Sequence, residues 1–272
     1  MLKRAVTGLL ILVLVVTLVF FGGIPLVVFC AIAALAGLKE LYTALSGKHQ
    51  NIHWVGYLFT VLYFAALYVF SSGYLQLILQ TIFILVVQTC LVLFFKKLTL
   101  KECITTVYGF LYIPFLLAFL IMVREHELGT RFVWLIFTSA FACDTFAYLT
   151  GVTIGKHKLK NSPSPVKSIE GLFGGVIGAA IVGGLFGFFL SRFTDLADTS
   201  FILQAVIISV IGAMFCIVGD MTASAIKRNT GIKDFGNIFP GHGGVVDRLD
   251  SILFTSPAVY MAMSFLIWLG VA

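Results

Sequence analysis

An all-α polytopic membrane protein of about nine transmembrane helices, with its N-terminus cytosolic and its C-terminus outside, is the architecture this sequence predicts. Three observations carry that reading. Of 272 residues, 60% are hydrophobic and only 11% charged, against about 45–50% and about 25% in soluble domains. The apolar residues fall into nine stretches near the roughly 20 residues that a bilayer crossing needs. The Lys and Arg residues fall almost entirely in alternate loops. Such a chain has too little charge to cover a soluble surface, which excludes a soluble enzyme, a disordered protein and a nucleic-acid-binding module. No nucleic-acid partner is therefore expected, although net charge is +6 and pI near 9.1.

The spans run at 4–21, 24–45, 53–71, 74–95, 103–123, 130–151, 171–190, 201–226 and 248–271. All are expected to be helices, because lipid cannot satisfy an unpaired backbone. The first follows Lys3 and Arg4 and could pass for a signal peptide. It is longer than an h-region and no small-x-small cleavage site follows, so it reads as a retained helix. Basic residues then set orientation. Lys3, Arg4, Lys39, Lys48, Lys96, Lys97, Lys101, Lys156, Lys158, Lys160, Lys167, Lys227, Arg228, Lys233 and Arg248 share one side, and only Arg124, Arg131 and Arg192 take the other. The richer side is the cytosolic one. The five cysteines have no CxxC or metal spacing and read as small apolar core residues.

Residues 1–125 form an N-terminal set of about five helices without a motif. Glu40 and Glu102 read there as solvated helix ends, and His49 and His53 as loop residues. Residues 126–272, about four helices, hold the chemistry. Asp144 lies in the sixth span, about 21 Å in from the outer end, and an ionisable residue at that depth is a functional candidate. Asp220 lies about 28 Å along the eighth span, with Ser224, Lys227 and Arg228 following on one face. Pro240, Gly241, Gly243 and Gly244 make a loop around His242 that opens a helix near Val245. A glycine-rich loop at a helix start presents backbone N–H groups and a positive dipole end to anions. Asp247 and Asp250 project from the first turn of that helix, with Arg248 between them. Between spans six and seven, Ser164 is a plausible N-cap before Pro165, and Lys156, Lys158, Lys160 and Lys167 supply positive charge. Gly174/Gly178 and Gly183/Gly187 read as helix-packing pairs.

Topology puts Asp144, Glu170, Asp220, Asp234, Asp247 and Asp250 at the cytosolic side, together with Lys156, Lys167, Lys227, Arg228, Lys233 and Arg248. Carboxylates bind a divalent metal and cations bind phosphate. A membrane-embedded Mg²⁺–nucleotide site open to cytosol and lipid follows as an expectation.

Ser224-Ala225-Ile226-Lys227-Arg228, Lys233-Asp234 and Pro240-Gly241-His242-Gly243-Gly244-Val245-Val246-Asp247-Arg248-Leu249-Asp250 together resemble the signature of phosphatidate cytidylyltransferases (CDP-diacylglycerol synthases). Asp144-Thr145 with Tyr148 and Gly151, Gly155-Lys156, Ser164-Pro165, Lys167-Ser168 and Glu170-Gly171 resemble further motifs of that family. The resemblance spans about 140–252. It implies Mg²⁺-dependent transfer of CMP from CTP to phosphatidate, giving CDP-diacylglycerol and pyrophosphate for phospholipid synthesis in the cytoplasmic (inner) membrane, with the site facing the cytosol. It implies Asp220 and Asp247 as metal ligands, with Asp144 and Asp250 as further ligands or orienters, and allows a second cation beside the first. Lys167, Lys227, Arg228 and Arg248 would hold phosphates. Ser168, Ser224, Lys233, His242, Gly243 and Gly244 would complete the substrate pocket. A homodimer is compatible with the apolar helix faces. Two rivals remain. A CTP-dependent lipid-alcohol kinase would release CDP rather than pyrophosphate. An ion-coupled transporter would place its ionisable groups near the midplane of repeated, broken helices.

Overall fold

The computed structural model describes residues 2–47, 51–70, 73–194, 196–238 and 243–271. Among them the chain forms nine helical rods and no strand. These are α1 (Leu2–Phe21), α2 (Gly23–Ser46), α3 (His53–Val69), α4 (Gly73–Leu93), a rod made of α5 (Leu100–Phe110), a π-turn (Leu111–Phe115) and α6 (Leu116–Arg124), then α7 (Gly129–Thr153), α8 (Ile169–Phe193), α9 (Phe201–Thr230) and α10 (Val246–Trp268). Each predicted span has its rod. Seven are long and apolar enough to cross a membrane, which makes this a multi-pass membrane protein. Pro114 explains the π-turn: it has no N–H to give the ladder, and a wider turn absorbs the missing bond. With 30 residues, α9 is about 45 Å long, so it outreaches the ~30 Å hydrocarbon core.

The chain divides into two compact units, Met1–Ile121 with Thr230–Arg248, and Met122–Asn229 with Leu249–Ala272. In the first unit, Phe110 packs on Phe83 and Tyr63 at ring separations of 4.4 and 5.6 Å. Tyr42 is fully buried. Its ring stacks on His53 at 4.1 Å, and its hydroxyl donates to the Thr106 carbonyl at 3.0 Å. Two glycines make room for it. A Cβ on Gly56 would lie 2.3 Å from the Tyr42 hydroxyl, and one on Gly109 would lie 2.2 Å from its ring. Gly109→Ala is therefore expected to destabilise the protein by about 1–3 kcal/mol, the range for overpacking a filled core. Thermal unfolding in detergent measures this, and an unchanged midpoint would refute the packing argument.

Two expectations for this half are corrected. Glu102 is not a solvated end but 4% exposed. It forms a capping box with Thr99 and accepts from Asn51 Nδ2 at 3.0 Å. His53 is buried rather than in a loop. His49 lies outside the described residues.

In the second unit the glycines of α8 act as predicted. Cβ atoms on Gly174 and Gly178 would run into Thr150 and Phe146 of α7, and those on Gly183 and Gly187 into Ser209 and Ala205 of α9. Helices therefore approach to backbone distance, the packing mode available where lipid removes the hydrophobic drive. Cys143 and Cys216 fill the core between Ala140, Ala179 and Ala213. All five cysteines are free thiols. In the connection before α9, Ser200 donates to Asp198 at 2.6 Å and holds that carboxyl below its usual range.

Candidate active site

The second unit gathers five of the predicted residues. Gly219 lets α9 touch the backbone of α10, since a Cβ there would lie 2.4 Å from the Asp250 carbonyl oxygen. Asp220, the next residue, is thereby brought beside Asp250. Asp220, Lys227 and Asp144 lie within electrostatic reach of Asp250. Asp144 comes from α7 and is held at both oxygens. The Ser251 hydroxyl donates to Oδ2 at 3.3 Å and the Cys216 thiol to Oδ1 at 3.6 Å. Lys167 pairs with Asp220. Three carboxylates from three helices thus lie within electrostatic reach of one another and of two lysines.

Lys167 is placed by a strap of backbone pairing. Lys158 and Ser168 form an antiparallel bridge. The Leu159 amide donates to the Lys167 carbonyl, and the Ile169 amide to the His157 carbonyl, both at 2.9 Å. Glu170 accepts the His157 amide at 3.1 Å and pairs with its ring at 2.5 Å. The N-cap of α8 is Ser168, whose hydroxyl accepts the Gly171 amide at 3.2 Å. This corrects the expectation for Ser164. Its carbonyl instead accepts the Lys167 amide at 3.2 Å, closing a turn in which Pro165 occupies the second position, where its fixed φ is favoured. Ser168, expected to bind substrate, is 2% exposed and caps a helix.

A cavity of about 210 Å³ opens beside this cluster. Its lining includes the polar residues Asp144, Lys158, Lys167 and Ser168 and the apolar or aromatic residues Tyr148, Val152, Val166 and Leu172. Tyr148 and Val166 are 70% and 80% exposed. A cleft lined by two lysines, one carboxylate and exposed apolar side chains suits an amphiphile with a polyanionic head.

The signature loop belongs to the first unit, and there the structure departs from expectation. The amides at the start of α10 are not presented to an external anion. Val245 and Val246 donate to Glu40 of α2, each at 3.0 Å. The Gly244 and Phe235 amides donate to Asp247 Oδ2 at 3.0 and 2.8 Å. Glu40, read as a solvated end, is 7% exposed. Carboxylates of the chain itself thus satisfy the positive end of the helix. Asp247 and Asp250 lie three residues apart on α10, as predicted, and Ser224, Lys227 and Arg228 follow Asp220 along α9. Lys233 and Arg248 are exposed. His242 lies outside the described residues, with Pro240 and Gly241. Gly243 takes a left-handed φ of 79° beside Asp247. Among the described residues no three His, Cys, Asp or Glu side chains close on a single metal position. Sequence reasoning missed Glu40, Cys216 and Ser251. Glu40 carried a usable signal, an acidic residue inside an apolar span.

Fold and cluster together define a multi-pass membrane protein with a carboxylate–lysine site on an amphipathic cleft. The chain belongs to the cytidylyltransferase family, whose model matches residues 2–266, and it is accordingly a nucleotidyltransferase. It is similar to the phosphatidate cytidylyltransferase of Staphylococcus epidermidis, 28% identical over 258 residues that cover 93% of this chain and 95% of the relative. It is similar to the protein of that name from Staphylococcus aureus, 30% identical over the same shares. The Thermotoga maritima protein of that name is 33% identical over 156 residues, 57% of each chain.

Proposed function

We propose that this protein is a phosphatidate cytidylyltransferase, transferring CMP from CTP to phosphatidate and releasing pyrophosphate, with its site on the cytosolic side of the cytoplasmic membrane. The observation that carries the reading is the cluster of Asp144, Lys167, Asp220 and Asp250 beside a cleft with an apolar wall. Family membership and the names of the relatives support it. The excess of basic residues in alternate loops supports the orientation.

The donor set fits Mg²⁺. It consists of hard carboxylate and hydroxyl oxygens, and this ion takes one or two carboxylates and completes its shell with water and substrate phosphates. Asp220 and Asp250 are the proposed ligands in the second unit, with Asp144 as a further ligand or orienter, and Asp247 is proposed at the start of α10. When bound, the metal would neutralise charge on the triphosphate and allow a second cation beside it. Lys167 would exchange its hold on Asp220 for a substrate phosphate. Lys227, Arg228, Lys233 and Arg248 would hold the remaining phosphates, and Ser224, His242, Gly243 and Gly244 would shape the nucleotide pocket.

The attacking oxygen belongs to a phosphate monoester, which is already anionic at neutral pH. It forms a bond to the α-phosphorus of CTP, the bond from that phosphorus to the bridging oxygen breaks, and pyrophosphate leaves with the electron pair. No strong base is required, and the residues act by positioning and charge neutralisation. Tyr148, Val152 and Val166 would seat acyl chains.

The test is pyrophosphate release by detergent-purified protein given Mg²⁺, CTP and phosphatidate, with each omitted in turn. Release that needs all three is expected. CDP formed from a lipid alcohol would instead indicate a kinase, and silence in both assays from a folded sample would reopen transport.

A further inference from the structure

We infer that Glu40 is a positioning residue for the signature loop, holding the segment that carries Asp247 and Arg248 from a helix that has no signature of its own. The inference rests on the function proposed above and adds a residue to it. Burying a carboxylate is costly unless its hydrogen bonds are replaced. Glu40 replaces them with two backbone amides, Val245 and Val246, at 3.0 Å each, at the helix end where the dipole favours negative charge. Val245 has no side-chain acceptor to cap α10 itself, so a residue 205 positions away does the capping. The surroundings are shaped around this contact. Cβ atoms on Gly236 and Gly244 would lie 2.2 and 2.4 Å from Glu40 oxygens. Val246 also meets α2 at Gly37, where a Cβ would lie 3.4 Å from its methyl.

Asp247 holds the same segment through the Phe235 and Gly244 amides. Two carboxylates therefore clamp Phe235 and residues 244–246, and the direction of Asp247 depends on where Glu40 keeps the first turn of α10. Glutamine in place of Glu40 offers one acceptor oxygen and points an N–H₂ group at the second amide, so one of the two bonds is lost and the other loses its charge.

The experiment compares Glu40→Gln with Glu102→Gln in the full-length, detergent-purified protein. Glu102 is a similarly buried cap of the same unit whose hydrogen bonds go to Thr99 and Asn51. Hydrogen–deuterium exchange without substrate, together with CTP kinetics, gives the readouts. Glu40→Gln is expected to speed exchange in 235–248 alone and to lower kcat by roughly 10–100-fold, the usual effect of groups that orient a ligand, with a smaller change in KM. Glu102→Gln is expected to spare both. Wild-type exchange in 235–248, faster exchange throughout the chain, an unchanged kcat or an equal loss in Glu102→Gln would each overturn the inference. Should the wild-type protein make no CDP-lipid, the proposed function fails, and the exchange comparison still decides whether Glu40 holds the loop.

Discussion

Asp220→Asn is expected to reduce pyrophosphate release by about 10²–10³-fold or more, the scale on which one preorganised charge acts, with little change in thermal midpoint. The two halves of that expectation have separate causes. Asp220 pairs with Lys167 and lies within electrostatic reach of Asp250 and Asp144, so losing its charge removes both the proposed metal ligand and the resting partner of Lys167. Its side chain and that of Lys167 are 30% and 27% exposed, and a partly solvated pair contributes only about 0–1 kcal/mol. Asparagine also relieves the repulsion from two neighbouring carboxylates, which offsets part of that loss. Lys167→Met leaves Asp220 without its paired lysine and Asp144 without a neighbouring one. Its midpoint should fall in metal-free buffer and recover with Mg²⁺ by the ordinary linkage of binding to stability. Scanning fluorimetry across a Mg²⁺ titration, run beside the pyrophosphate assay, checks both variants. Near-normal turnover by Asp220→Asn would defeat the ligand assignment, and an Mg²⁺ response in Asp220→Asn as large as in wild type would move the metal elsewhere.

What the sequence made readable follows from which interactions are local. Hydropathy is local, and each of the nine apolar stretches became a rod, with ends displaced by a few residues where caps decide. The start of α8 shows how. Ser164-Pro165 and Ser168 both offer a hydroxyl, and only the bridge between Lys158 and Ser168 selects the second. Pairings across the chain were legible only as candidates. Asp144, Lys167, Asp220 and Asp250 stood out because charge inside a membrane demands a reason, and the structure groups them. Glu40 and Glu102 met the same criterion but lay near predicted helix ends, where water would suffice. Their partners are backbone amides in one case and an asparagine and a threonine in the other, and neither leaves a trace in composition or spacing. The glycine-rich loop was read as an anion cradle on sound grounds, since helix starts do bind anions. The anion at this one is Glu40.

Gly244→Ala should be the most damaging single methyl in the signature. Gly244 does not have a left-handed backbone, so alanine meets no torsional penalty and the effect is purely steric. The new Cβ would lie 2.4 Å from both oxygens of Glu40. A flexible glutamate would ordinarily swing aside. This one is buried and fixed by two amides, so moving it leaves a carboxylate and the Val245 and Val246 donors without partners, at about 1–3 kcal/mol for each unsatisfied group. If the loop moves instead, the Gly244 amide leaves Asp247. Either route should lower the thermal midpoint, speed exchange in 235–248 and reduce turnover about tenfold or more, as a lost orienting group does. Gly231→Ala is the comparison. Gly231 does have a positive φ, of 71°, and nothing lies within 4 Å of its Cβ position, so its replacement costs about 1–2 kcal/mol of strain and leaves turnover intact. A Gly244→Ala protein with the wild-type midpoint and exchange would mean that Glu40 relaxes freely. The clamp would then be an incidental contact, not the device that sets Asp247.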